Sequence, residues 1–173
     1  MKKGIMLIGV LVFTMMISGC GSKESSKTSS FDIPSAQASF SKDSTSSEKS
    51  IQQGLTYLNQ GDFKKAIGNL MLAIRQNPSD SRGYLILGQT FISLKNYDGA
   101  VSVLKSGTIA VPEDGHIYYL LSLAQRFNGD SEQALQAAQK SVVLFEKAQD
   151  AVSFKKSLVL VRGLMSAEGQ TQK

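Results

Sequence analysis

Apolar residues recur at the spacing of one helical face over most of the chain beyond residue 47, and short polar turns interrupt this pattern regularly. The turns contain glycine, asparagine, aspartate and proline, which end one helix or cap the next. An all-α fold is therefore expected. The predicted helices span 48–60, 63–76, 81–94, 97–110, 115–128 and 131–147, and a further amphipathic helix spans 150–166.

The helical pattern repeats with a period of 34 residues. Small residues, turns and prolines return in the same register, which divides this part of the chain into units at 47–80, 81–114 and 115–148. The recurring positions include Gly54, Gly88 and Ser122, then Ala66, Ala100 and Ala134, and finally Pro78 and Pro112.

The small residues of the repeat allow the two helices of a unit to pack closely. A larger side chain there would hold the helix axes beyond their usual separation of roughly 8–10 Å. Gly88→Leu is therefore expected to be strongly destabilising, whereas Gly88→Ala is expected to be tolerated because alanine favours helix. Pro78 and Pro112 cannot continue a helix, so they end the first two units. Asp62, Asn96 and Asp130 are predicted N-caps of the second helices.

This period of helix, turn and helix resembles the tetratricopeptide repeat. The second unit carries the family pattern most fully. The first unit has Ser50 where a large aromatic residue is usual, and the third has Glu146 in place of the closing proline. The resemblance implies a right-handed superhelix, an α-solenoid, built from three helix–turn–helix repeats.

The segment 149–173 is predicted to be a capping helix and tail. A repeat unit cannot bury its apolar face alone, so the third unit needs a cover. Val152 and Val159 lie outside the main apolar stripe of this helix, and core packing is favoured for them over an oligomer contact. The main stripe consists of Phe154, Leu158, Val161 and Met165.

The start of the chain is typical of a secretory signal peptide. Residues 1–3 are basic, and residues 4–17 are apolar but too few for the roughly 20 residues that cross a bilayer. The sequence ISGC at 17–20 resembles the lipobox of bacterial lipoproteins. The resemblance implies cleavage of a lipoprotein signal peptide, 1–19, and acylation of Cys20. The alternative is an ordinary signal peptide that happens to contain a cysteine.

Residues 20–46 are rich in serine and poor in apolar side chains. Such a segment cannot bury enough surface to offset its ordering entropy, so a disordered tether is predicted. Phe31, Ile33, Pro34 and Phe40 interrupt it. They could form a short docking motif or fold back into a groove, but a plain linker is favoured.

Composition excludes several classes of chemistry. The 173 residues contain one cysteine and one histidine, which rules out an internal disulfide framework and a multi-histidine metal centre. The net charge of +5 is modest, so a nucleic-acid partner is not expected. The sequence has no catalytic triad spacing, phosphate-binding glycine loop or paired-carboxylate motif. We therefore expect no enzyme, and no cofactor, metal or small-molecule substrate.

The resemblance implies that the first helices of the units line a concave groove where partners bind. This groove is apolar, which suits an amphipathic helix or an extended apolar segment. Some proteins of this family hold a peptide carboxylate with a lysine and asparagine clamp, but Ile51 and Leu55 stand at its first two positions. Alternatively, the cap or the tether fills the groove. The inward positions are Ile51, Leu55, Leu58, Arg82, Leu85, Gln89, Ile92, His116, Tyr119, Leu123, Arg126 and Phe127.

Three functions remain open at this stage. The first is a membrane-anchored scaffold that binds another envelope protein or peptide in the groove. The second is an assembly lipoprotein for a type IV pilus or secretion apparatus, and the third is an accessory lipoprotein whose groove is occluded by its own chain. The expected location is the cell envelope: the outer membrane if the cell has two membranes, otherwise the outer face of its single membrane.

Replacing Cys20 tests the lipid anchor. Cys20→Ala removes the thiol that would accept diacylglycerol, so the protein should remain an unprocessed or soluble precursor. Metabolic labelling with a radioactive fatty acid measures this directly, and undiminished label on the variant would contradict the lipobox assignment.

Overall fold

The structure, a computed structural model, describes the backbone of residues 36–171 and the side chains of residues 45–166. The predicted signal peptide, the lipidation site Cys20 and residues 20–35 of the predicted tether lie outside the described residues.

Seven α-helices and no strands make up the described part of the chain, which confirms the all-α prediction. None of these helices, over residues 36–171, has the length and apolarity needed to cross a membrane. Their bounds agree closely with those predicted, except at the two ends of the array. The helices are α1 (Ala36–Asn59), α2 (Phe63–Gln76), α3 (Ser81–Ser93), α4 (Tyr97–Ala110), α5 (Gly115–Asn128), α6 (Ser131–Lys147) and α7 (Ala151–Thr171).

Helix α1 begins earlier than predicted. It starts at Ala36, so residues 36–46 are helical and the predicted disordered tether is wrong over that stretch. Alanine, glutamine and lysine in this stretch favour helix, and a helix that packs on α2 further along needs no new nucleus to extend backwards. The serine content alone was a poor guide because it lowers helix propensity only slightly.

The helices stack as successive antiparallel pairs: α1 with α2, α3 with α4 and α5 with α6, and α7 then packs on α6. The turn inside each pair repeats the same hydrogen bond. The backbone N–H of Asp62 donates to Tyr57, that of Asn96 to Phe91 and that of Asp130 to Gln125, each at 2.9 Å. The residue before each of these donors has a positive φ: +75° at Gly61, +57° at Lys95 and +92° at Gly129.

The side chains at the helix starts follow the predicted capping in part. Asp62 accepts a hydrogen bond from the backbone N–H of Lys65, and Asn96 from that of Gly99. Asp130 makes no such bond; its carboxylate accepts one from Asn128 instead. The side chain of Gln133, three residues after Asp130, accepts hydrogen bonds from Gln125 and Lys105 and does not cap this helix start.

The helices of the first two pairs come very close at the repeated glycine. A Cβ built on Gly88 would stand 2.7 Å from Cγ and Cδ2 of Leu104, and one on Gly54 would stand 2.9 Å from the same atoms of Leu70. Both leucines are fully buried. The expectation that Gly88→Ala is tolerated is therefore wrong on geometry, because even a methyl group has no room.

The third unit solves the same contact with a different pair of residues. Ser122 stands at the glycine position, and Ala138 stands where the other units have leucine. Both are completely buried, and the Ser122 hydroxyl donates to the carbonyl oxygen of Ala134 at 2.7 Å. The larger residue on α5, serine in place of glycine, is thus matched by a smaller residue on α6, alanine in place of leucine.

The capping helix α7 buries a face that overlaps the predicted one only in part: Phe154 and Val161 of the predicted stripe are partly buried, and Val161 packs against the cluster formed by α6 and α7. Leu158 and Met165 are 40% and 57% exposed, whereas Ser157, Leu160 and Leu164 are buried. The sequence presents two neighbouring stripes at helical spacing, and the shape of the partner decides between them. The stripe that contains Ser157, Leu160 and Leu164 packs closely on α6, because two buried alanines of α6, Ala134 and Ala138, leave space there. Val152 and Val159 are exposed, as are the lysines beside them.

Exchanging the contact residues of the second unit for those of the third should reveal their coupling. Gly88→Ser alone should destabilise by about 1–3 kcal/mol through overpacking, and Leu104→Ala alone by about 2–5 kcal/mol through a cavity. The double variant should lose less than the sum, by at least about 1 kcal/mol, because serine fills space that alanine vacates. Urea unfolding of the four proteins measures the coupling.

Gly68→Ala is the matched control for this contact. A Cβ on Gly68 meets nothing within 4 Å, so alanine there should be neutral or stabilising. Equal effects of Gly68→Ala and Gly88→Ala, or strictly additive effects in the double variant, would contradict the close contact.

Candidate functional site

The open part of the predicted groove lies on the first two units. Leu55 and Leu58 of α1 face α3 across a shallow depression of about 280 Å³, and Gln89 of α3 lies on its far side. We call this depression the A-face groove, since the first helix of each unit forms most of it. Its lining residues are Leu55, Leu58, Phe63, Ile86, Gln89, Thr90 and Ser93.

Two apolar residues of this groove were missed in the sequence. Phe63 is the first residue of α2 and is 42% exposed, and Ile86 lies on α3 beside the buried Leu87. The turn before Phe63 places its ring at the edge of the groove. Helical periodicity could not predict this position, because it depends on the turn and not on the helix. The Thr90 hydroxyl donates to the carbonyl of Ile86 at 2.7 Å, so it presents no unsatisfied donor.

Three predicted groove residues belong largely to the core. Ile51 is 2% exposed, which corrects its assignment to the groove. It lies four residues after Ser47, whose hydroxyl bonds the carbonyl of Ala73, so both are on the α1 face that packs against α2. Leu85 and Ile92 are partly buried and pack against the main core cluster of units two and three.

The groove side chains of the third unit pack with the capping helix. Tyr119 and Leu123 of α5 are partly buried against a cluster that includes Leu160 and Leu164 of α7. Two small residues of α6, Ala134 and Ala138, complete that cluster. The positions predicted as binding anchors in unit three therefore contribute to the attachment of α7.

His116 and Phe127 contact other aromatic rings of the chain. The imidazole of His116 meets the ring of Phe145 on α6 edge-on, with centroids 4.8 Å apart. The ring of Phe127 stacks on Tyr97 at 5.4 Å. Both side chains nevertheless remain exposed, Phe127 at 52%.

Arg82 links the first two units through ion pairs. Its guanidinium binds Asp80 at 2.7 Å and Glu48 of α1 at 2.6 Å. Hydrogen bonds from Gln52 and from Arg82 hold the pKa of Glu48 below its usual value, and the bond from Arg82 does the same for the pKa of Asp80. Two carboxylates of the chain thus already pair with this one guanidinium, and the three groups together carry a net negative charge. Arg126, by contrast, is exposed.

The A-face groove offers contact surface rather than reactive groups. Its lining side chains are apolar, amide or hydroxyl-bearing, and none of them titrates near neutral pH. Within the described part of the chain, no three histidine, cysteine, aspartate or glutamate side chains come together as a metal site could require. The arrangement suits the binding of an apolar segment.

Residues 51–114 match the family model described as tetratricopeptide repeat. Solved structures with the same fold include the TPR2B domain of yeast Sti1 in complex with pHsp70, at 18% identity and a TM-score of 0.65 over 72% of this chain and 99% of that one. PcrH from Pseudomonas aeruginosa is similar at 15% identity and a TM-score of 0.64, over 70% of this chain and 92% of that one. The helix pairs described above thus have the fold of tetratricopeptide repeats.

A curated relative matches over a shorter range. Superkiller protein 3 of Schizosaccharomyces pombe is 27% identical over 82 residues, which cover 47% of this chain and 6% of that protein. The chain therefore spans less than a tenth of the length of this relative.

Truncating a buried α7 residue tests whether α7 covers the third unit. Leu164 is 2% exposed, so Leu164→Ala should lower the free energy of unfolding by about 2–5 kcal/mol. Val159 is 69% exposed on the same helix, and Val159→Ala should change it by no more than about 0.5 kcal/mol. Urea unfolding compares the two, and similar losses would mean that α7 is attached by another face.

Proposed function

We propose that this protein is a lipid-anchored binding module that holds an apolar segment of another envelope protein on its A-face groove, without catalysis. The observation that carries the proposal is that α7 covers the groove surface of unit three, whereas no helix of the described residues covers that of units one and two. In units one and two, Leu55, Leu58 and Phe63 face an open depression. In unit three, α7 packs on the equivalent surface.

The chemistry of the groove favours an apolar ligand over an acidic one. Leu55, Leu58, Phe63 and Ile86 provide the contact surface, and exposed apolar patches of this kind mark interaction sites. The nearby cation, Arg82, is matched by two carboxylates of the chain itself. An acidic peptide would have to displace those carboxylates, whereas an apolar segment leaves them in place.

Repeats of the same fold support a protein ligand. The similar domain of yeast Sti1 was solved in complex with pHsp70, so such an array of helix pairs can accommodate a polypeptide. For the present chain we extend only the class of ligand, a protein segment, because the likeness at 18% identity concerns the fold.

The proposed anchor is the acylated Cys20, which lies outside the described residues. The ISGC sequence at 17–20 and the apolar run before it support this part of the proposal. Attachment by more than one acyl chain would hold the module stably at a membrane surface. With two membranes we place it on the outer membrane, since Gly21 follows the cysteine instead of the aspartate that retains lipoproteins at the inner one.

A self-occluded accessory lipoprotein is the second candidate. It is favoured by α7, because Tyr119 and Leu123 already have an intramolecular partner in Leu160 and Leu164. Under this alternative the remaining depression on units one and two would bind no other protein.

Photo-crosslinking in cells separates the two candidates. A photoreactive amino acid at residue 55 should crosslink one partner protein, and the same group at exposed Lys156 of α7 should not. Phe63→Ala should reduce that crosslink and weaken binding of the purified partner about thirtyfold, which corresponds to roughly 2 kcal/mol for an anchor residue. Added salt should change the affinity little, because the proposed contacts are not ionic.

The stability of the Phe63→Ala variant provides the control. Phe63 is 42% exposed, so its removal should lower the melting temperature less than truncation of a fully buried residue such as Leu70. Crosslinks from residue 55 that occur only within the chain would favour the self-occluded alternative. A partner whose binding is unaffected by Phe63→Ala would contradict the A-face groove as the site.

A further inference from the structure

A second and larger groove lies on the opposite side of the helix pairs. It runs between the second helices of units one and two and encloses about 510 Å³. Leu87 and Phe91 of α3 form its floor, and Met71 and Ile74 of α2 form one wall. We call it the B-face groove. It shares no lining residue with the A-face groove.

The other wall is open because α4 carries small residues there. Gly99, Ser102 and Ser106 follow one another at helical spacing along this wall. Between units two and three, the equivalent positions 34 residues further on carry long polar side chains. The groove there is smaller, with a volume of about 360 Å³. Those side chains are Gln133, Gln136 and Lys140.

Exposed apolar residues extend the B-face groove on both sides. Met71 and Leu72 of α2 are 47% and 37% exposed. Ile109 is 83% exposed and lies three residues after Ser106, so it continues the same side of α4. An apolar surface that combines a groove with protruding side chains is typical of an interaction site.

The charge of the groove indicates the sign of its ligand. Arg75 is the one charged residue among the groove's lining side chains, all of which lie in the described part of the chain. No carboxylate of residues 45–166 comes within 4.0 Å of its guanidinium, in contrast to Arg82 on the other side. An acidic side chain on a ligand could therefore pair with Arg75 without displacing an existing partner.

We propose that the B-face groove is a second docking site, which takes the apolar face of an amphipathic helix of a partner protein that carries an acidic residue opposite Arg75. Small residues at helical spacing let another helix approach the wall of α4 closely. The groove runs along the helices that form it, and the apolar floor would receive side chains at every third or fourth position of the ligand.

A second copy of the chain fits this groove less well. The exposed apolar helix available in the described residues is α7, with Val152 and Val159 at 65% and 69% exposure. Lys155 and Arg162 flank these valines and would approach Arg75 with like charge. Like charges brought together in an interface lower the affinity.

The third unit supplies the variant that tests the groove. Ser102→Gln with Ser106→Lys gives the second unit the side chains that unit three carries at the same positions, so the helix pair should still form. Both serines are exposed. The control, Val152→Gln with Ser166→Lys, adds the same two side chains at exposed positions of α7. Ser106→Lys alone is a milder second variant, and circular dichroism verifies the helix content of all three.

The probe is a fluorescent synthetic peptide that forms an amphipathic helix, with leucines along one face and a glutamate placed to meet Arg75. Fluorescence anisotropy with the full chain should show saturable binding. The groove variant should weaken it at least about tenfold, and the control variant should not. A peptide with lysine in place of the glutamate should bind more weakly, and Arg75→Gln should abolish the difference between the two peptides.

Four results would overturn the proposal. The first is that the glutamate peptide shows no saturable binding, and the second is that it binds the groove variant as tightly as the unaltered chain. The third is that the glutamate and lysine peptides bind the unaltered chain equally. The fourth is that binding tightens once residues 21–35 are deleted, which would make that segment the occupant. A concentration-dependent dimer that disappears in the groove variant would instead make a second copy the occupant. Phe63→Ala should leave probe binding unchanged, so this test is independent of the A-face groove.

Discussion

The close approach of the two helices in each repeat is the constraint on which the rest of the structure depends. Gly54 and Gly88 bring their helices so near that the buried leucine of the partner helix touches the backbone. This contact fixes the separation of the helices and therefore the width of the grooves between neighbouring units. Unit three has the fully buried pair Ser122 and Ala138 at these positions, a larger first residue with a smaller second one.

The capping helix covers the surface of the third unit and leaves the equivalent surface open only on units one and two. Tetratricopeptide repeats stack so that each unit covers the next, and the last unit has no successor. Here α7 supplies that cover through Leu160 and Leu164, and it engages Tyr119 and Leu123 in doing so. The stability of a short array is thereby coupled to the loss of part of its surface. What stays open on that side lies on units one and two.

The two faces of the array differ in whether their arginine is paired with carboxylates of the chain. On one face Arg82 joins α1 to α3 through Glu48 and Asp80, so its charge contributes to the cohesion of the units. On the other, Arg75 borders an apolar groove with no carboxylate beside it in the described residues. Repeats keep their inward residues similar because packing requires it. Surface positions are free to diverge, as the equivalent residues Ser102 and Gln136 do.

The sequence by itself determined the period, the helices and the close contacts, because small residues and turn residues act locally and recur every 34 positions. It identified Leu55, Leu58 and Gln89 as groove residues but also included Ile51, which the structure buries. Only the tertiary structure decided which stripe of α7 faces inward and that Phe63 lies at the mouth of a groove. Periodicity defines the faces of one helix, but the choice among them depends on the shape of surfaces brought together by distant parts of the chain.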